Sequence, residues 1–97
     1  MTDRYILVDG KPEPADDLIG WARWFEKADR VVKKDTFGEV MVSTVFLGLN
    51  HNFDVTGPPL LWETMIFGGA HDQFCARYAS VEAAKAGHES ACRMVRP

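Results

Sequence analysis

Two hydrophobic rhythms run through the chain. Tyr5-Ile6-Leu7-Val8 is a short apolar run stopped by Asp9-Gly10, a turn dipeptide. Lys11 to Pro14 then carries two prolines, so regular structure there is expected to be brief and the first strand to lie at a sheet edge. From Asp16 the period changes. Leu18, Trp21, Ala22, Phe25, Ala28 and Val32 recur every three or four residues, which is the period of a helix. Arg23, Glu26, Lys27, Arg30 and Lys33 fall on the opposite side. Asp16 and Asp17 suit the positive end of a helix dipole, and Lys33 and Lys34 suit the negative end. The pattern predicts a helix over about 16–34, with Trp24 at the margin of the apolar stripe and partly exposed.

Thr36-Phe37-Gly38 breaks that helix, and a long strand is predicted over about 39–49. Val40, Val42, Thr44 and Phe46 share one face, and Met41, Val45, Leu47 and Leu49 the other. Both faces are mainly apolar, so the strand is expected to be central and covered on both sides. Gly48 in such a strand marks a bulge or a close backbone approach. A second strand is predicted over about 60–67. Its short connection, 50–59, favours antiparallel pairing. Gly68-Gly69 ends it, and 70–79 reads equally as a short strand or an irregular turn. Ser80 is an N-cap candidate for a helix over about 80–95, with Ala84, His88, Ala91, Cys92 and Val95 at helical spacing. Gly87 weakens it by about 1 kcal/mol relative to Ala. The order predicts an α+β two-layer sandwich: an antiparallel sheet built on a long central hairpin, with two helices packed on one face.

Composition changes this picture little. The 97 residues are expected to form one domain. An apolar fraction of 46%, with 3 Trp, 2 Tyr and 6 Phe, disfavours disorder. The net charge of −3, with acids concentrated in the first twenty residues, supplies no drive toward nucleic acid. Cys75 and Cys92 have no CxxC spacing, so neither a zinc site nor a disulfide is expected from them. No apolar run of the length that spans a bilayer is visible, nor a cleavable leader, and the composition reads as a reduced, cytosolic protein.

Several constellations carry conceivable chemistry. Asn50, His51, Asn52 and Asp54, with Glu63 and His71, would suit a metal or an acid–base pair if the fold gathered them. No ligand spacing supports that, and Asn and Asp are also the residues of an ordinary turn. Gly68-Gly69-Ala70-His71-Asp72 offers backbone N–H groups but no phosphate-binding fingerprint, so a tight turn is the better reading. Cys75 follows His71 by four residues, and Cys92 follows His88 by four. On a helix such pairs are neighbours, yet Cys92 lies on the apolar stripe, where a thiol is commonly a small core residue. The three tryptophans add a different possibility, because exposed aromatics anchor protein partners.

The stretch VSTVFLGLNHNF…GPPLLWETMIFGG, followed by RYASVEAAKAGH and preceded by WARWFEKADRVV, resembles a family of small proteins of tailed bacteriophages and prophages. The resemblance covers roughly residues 20 to 90 and brings no activity with it. In that family the loop after the first long strand most often reads Asp-His. Here it is Asn50-His51, which speaks against a metal or acid–base role for position 50. The resemblance implies a phage setting and a host bacterial cytoplasm. Small acidic phage proteins often bind a host protein, some of them inhibiting defence complexes as anti-CRISPR proteins do.

The leading expectation is therefore a non-enzymatic binding protein without a cofactor. It would occlude a host protein or ribonucleoprotein complex through Trp24, Asp16, Asp17, Asn50, His51, Asn52 and Asp54. The alternatives are a small metal-dependent or nucleotide-handling enzyme using His51, Glu63 and His71, and a virion or assembly accessory protein. An edge strand at Tyr5–Val8, or an exposed Trp24, would also allow a symmetric dimer.

Overall fold

The computed structural model describes residues 3–52 and 56–96. Strands β1 (Tyr5–Val8) and β2 (Lys11–Pro14) form a two-stranded antiparallel sheet. Asp9 and Gly10 both take positive φ, 51° and 79°, the type I′ geometry that matches right-handed strand twist. The two-residue turn makes Val8↔Lys11 the hydrogen-bonded closing pair. Alternation then places Pro12 and Pro14, opposite Leu7 and Tyr5, at non-hydrogen-bonded positions. Pairing resumes where the Ala15 N–H donates to the Arg4 carbonyl at 2.8 Å. The prolines therefore cost the ladder nothing, and the regular structure at 11–14 is a strand of four residues.

Helix α1 spans Leu18–Lys27, much shorter than the predicted 16–34. Asp17 caps it, its carboxylate accepting from the Ile19 N–H at 3.2 Å. The Ala28 N–H closes the last turn on the Trp24 carbonyl, and the Asp29 carboxylate takes the Val31 N–H at 3.1 Å, turning the chain out of the helix. Val31–Phe37 is strand β3. The helical spacing that seemed to reach Val32 was a coincidence across this turn. Val31 and Val32 are β-branched and favour a pleated strand once one is available to pair with.

Strands β3, β4 (Val40–Phe46), β5 (Trp62–Phe67) and β6 (Cys75–Tyr78) form a four-stranded antiparallel meander in sequence order. The central hairpin predicted over 39–49 and 60–67 is β4–β5, in register from Met41↔Phe67 to Phe46↔Trp62. Gly38, at φ 62°, occupies the first central position of the two-residue β3–β4 turn, as a type II′ turn requires. The ambiguous 70–79 stretch supplies both a turn and β6. Within that turn the Asp72 carboxylate holds the Gly68 N–H at 2.7 Å.

Helix α2 spans Val81–Val95, with the Ser80 hydroxyl accepting from the Ala83 N–H at 3.1 Å. It packs across all four strands of the meander. Its buried residues are Ala84, His88, Ala91 and Cys92, the stripe expected from spacing. Beneath it the core has two apolar clusters. One holds Val42, Ile66, Ala91 and Cys92; the other holds Phe46, Leu61, Trp62 and Ala84. Gly87 has a packing reason: an added Cβ would lie 2.2 Å from the Tyr78 hydroxyl.

Helix α1 has no fully buried residue; its backbone lies against β1, and its Trp24 ring reaches the Phe46 end of the cluster beneath α2. The Trp21 indole N–H is shared between the carbonyls of Tyr5 and Gly48, each at 3.1 Å. Gly48, at φ 76°, meets the Phe25 ring so closely that a Cβ would sit 3.1 Å from it. Its bend also lets the chain beyond β4 leave β3 and join β1, the Tyr5 N–H donating to the Gly48 carbonyl at 2.8 Å.

Candidate functional site

The polar residues of the β4–β5 connection hold their own loop. The Asn50 side-chain oxygen accepts from the N–H groups of Asn52 (2.8 Å) and Leu60 (3.0 Å), pinning both ends of the loop together. The Asn52 amide donates to the Pro58 carbonyl at 2.7 Å. His51 is half-buried, and its Nδ1 donates to the Leu49 carbonyl at 2.9 Å. Asp54 lies outside the described residues. Asp16 and Asp17 are exposed at the start of α1, where Asp17 is the cap. Trp24 is half-buried, with its ring edge-on to Phe46 at 5.9 Å, so it serves the core. The exposed large apolar side chains of α1 are instead Leu18 and Ile19, 57% and 64% accessible.

Among the described residues, His51, Glu63 and His71 do not come together as a metal constellation. His51 precedes β5, whereas His71 lies in the turn that follows it. Glu63, between them, is engaged with Arg77 at 2.9 Å. The Cys75 thiol leans on the same carboxylate at 3.4 Å. Burial first, and then that hydrogen bond, push the Cys75 thiol up, so it is a poor thiolate. Residues 71–74 are not helical, which removes the imagined His71–Cys75 pairing.

The meander has one covered and one open face. The expectation that β4 is covered on both sides is corrected: α2 lies on the Val42, Thr44 and Phe46 side alone. The alternate residues form the open face. Met41, Val45 and Met65 are half-buried at its centre, and Val31 and Phe67 are 50% and 43% exposed at its margins. Lys34, Thr36, Ser43, Glu63, Cys75 and Arg77 complete it, as the strand registers require. No sequence signal distinguished this face from the covered one, because both alternate sets of β4 are similarly apolar.

On the covered face a polar seam divides the two apolar clusters. Thr44 and Thr64 are cross-strand partners, and both are fully buried with His88. Their hydroxyls bond each other at 2.5 Å, and the Thr44 hydroxyl meets His88 Nδ1 at 2.7 Å. On its other side, His88 Nε2 donates to the Asp35 carboxylate at 2.7 Å. That hydrogen bond is the main cause holding the Asp35 carboxyl below the usual carboxylate range, opposed by partial desolvation and aided by the nearby Lys33 charge. With the ring neutral, Thr64, Thr44 and His88 each donate one step toward Asp35, and every group is satisfied.

The seam has the hydroxyl–imidazole–carboxylate order of a nucleophilic triad, but Thr44 and His88 have no accessible surface. A substrate cannot reach the hydroxyl, so this arrangement is structural toward any acyl or phosphoryl group. Cys92 sits beside it, its thiol 3.7 Å from the Asp35 carboxylate. Burial first, and then the charges of Asp35 and Glu89, push that thiol up. Cys75 projects from the open face and Cys92 lies on the buried side of α2, and both are free.

Against known protein families, curated proteins and solved structures, the chain finds no match.

Proposed function

We propose that this chain is a non-enzymatic protein-binding domain that presents the open face of its meander to a partner. The observation that carries this reading is the face itself. Its centre holds two methionines and a valine around Ser43, beside the Glu63–Arg77 ion pair, and its margin mixes Val31 and Phe67 with the charged Lys34. Adaptable methionine and aromatic groups within a polar rim are the composition of a partner-binding patch. The resemblance to phage proteins supports a bacterial host protein or ribonucleoprotein complex as the partner. Occlusion of a defence complex is the mode of action to test first.

The test is binding of the purified chain to purified host defence complexes, followed by gel filtration, beside a variant carrying Val31→Lys and Phe67→Lys. A stable complex with the native chain that is lost in the variant is the expected result. A native chain that binds none of them, or a variant that binds equally well, would overturn the reading. Light scattering distinguishes the competing occupant, a second copy of the chain on the same face.

A further inference from the structure

We propose that Asp35, His88 and Cys92 form a binding site for a single borderline divalent metal ion, with zinc the best fit. At the Asp35 end of the seam, the ligating atoms of these three side chains lie within 4.8 Å of one another. Their order in the fold suits the task. His88 and Cys92 are one helical turn apart on the buried face of α2, and Asp35 faces them from the edge strand β3. Thiolate sulfur, imidazole nitrogen and carboxylate oxygen together favour zinc over the hard ions calcium and magnesium, which take oxygen donors. A thiolate and a carboxylate also neutralise a dication within a partly buried site.

The geometry needs only a small adjustment. Tetrahedral zinc sets its N, O and S ligands about 3.2–3.6 Å apart. His88 Nε2 and the Asp35 oxygen are 2.7 Å apart, and the Cys92 sulfur lies 3.7 Å from that oxygen. Asp35 is the ligand able to move, since its side chain is 36% exposed on an edge strand. The same exposure gives the ion an entry path and leaves a coordination position for water.

The seam supplies the support that a metal-binding histidine requires. Such a residue usually donates its second ring N–H to an oxygen, which fixes the ring and its tautomer. His88 Nδ1 already faces the Thr44 hydroxyl at 2.7 Å, with Thr64 beyond it. On metal binding the ring proton is carried on Nδ1 and Nε2 becomes the ligand. Thr44 then accepts from Nδ1 and turns to donate to Thr64, so the ring and both hydroxyls stay hydrogen-bonded to one another. The Cys92 thiol releases its proton to solvent as the S–metal bond forms. The Asp35 carboxylate, 3.7 Å from the Cys92 sulfur, is a negative charge that draws a dication in.

The experiment uses the full reduced chain with Zn²⁺ in competition against a chromophoric chelator, and with Co²⁺ as a spectroscopic probe. The expected result is one equivalent of Zn²⁺ and a sulfur-to-Co²⁺ charge-transfer band. Cys92→Ala should abolish the band, and Asp35→Asn should weaken Zn²⁺ uptake by roughly tenfold or more. Cys75→Ala should change neither. Circular dichroism of each variant checks its fold, and the native Co²⁺ spectrum decides the matter even if a core variant unfolds. No uptake at stoichiometric metal, a Co²⁺ spectrum without thiolate character, or dependence on Cys75 would overturn the site. None of these outcomes touches the open face, so the partner-binding reading stands or falls separately.

Discussion

The two faces of one sheet are made from the same four strands and meet different fates. On the covered face, Val42, Phe46, Trp62 and Ile66 are fully buried, and the polar groups between them are paired into one chain. On the open face, Met41, Val45 and Met65 stay partly accessible, and the charged pair Glu63–Arg77 is half in water. Hydropathy does not separate the two. Fit to the helix does: α2 offers the small residues Ala84 and Ala91 on either side of His88, which matches two apolar clusters separated by hydroxyls. A buried polar seam placed this way fixes register, because slipping a strand would orphan its groups.

Breaking the seam should give the largest effect. His88→Ala leaves a cavity and takes the ring acceptor from the Thr44 hydroxyl, and is expected to cost about 3–5 kcal/mol in urea unfolding. Gly87→Ala tests whether helix propensity or packing governs α2. Propensity alone predicts a gain of about 1 kcal/mol. The Tyr78 hydroxyl in the way of the new Cβ predicts instead a loss of about 1–3 kcal/mol.

Acid should act through Asp35. Its carboxyl is held below the usual range in the folded chain, so the unfolded chain takes up a proton first as pH falls. Its contribution is complete above about pH 4 and is lost as the pH falls through its lower, folded value. Asp35→Asn should therefore flatten part of the acid limb in unfolding curves taken between neutral and acid pH. Some slope should remain, because Glu89 is lowered too, chiefly by its hydrogen bond from Lys33. The open face should show the smallest effect on stability. Phe67→Ser is expected to shift it by no more than about 0.5 kcal/mol while weakening capture of a partner, which binding assays on a normally folded variant would read.

Legibility of the sequence followed the range of the forces involved. The central hairpin and α2 were readable because composition, period and caps are local: the β-branched apolar run of β4, and Ser80 ahead of an apolar stripe. The turn roles of Asn50 and Asn52 were readable for the same reason, since an Asx side chain bonds its own loop. The β2 strand was hidden by prolines whose harmlessness depends on register. The β3 strand was hidden by a stripe that continued across the turn at Asp29. His88 and Cys92 were visible as neighbours on a helix, but nothing marked Asp35 as their partner. It lies more than fifty residues earlier in the chain and reaches His88 only through the meander.

The sequence alone therefore determined the α+β class, the long hairpin, the final helix and the caps and turns that delimit them. Each follows from interactions among residues a few positions apart. The tertiary structure decided where α1 stops, that β3 exists, which sheet face is covered and which side chains surround His88. Those outcomes rest on pairing and packing between distant segments, where a hydrogen-bond partner or a fitted surface outweighs a local preference of a few tenths of a kcal/mol per residue.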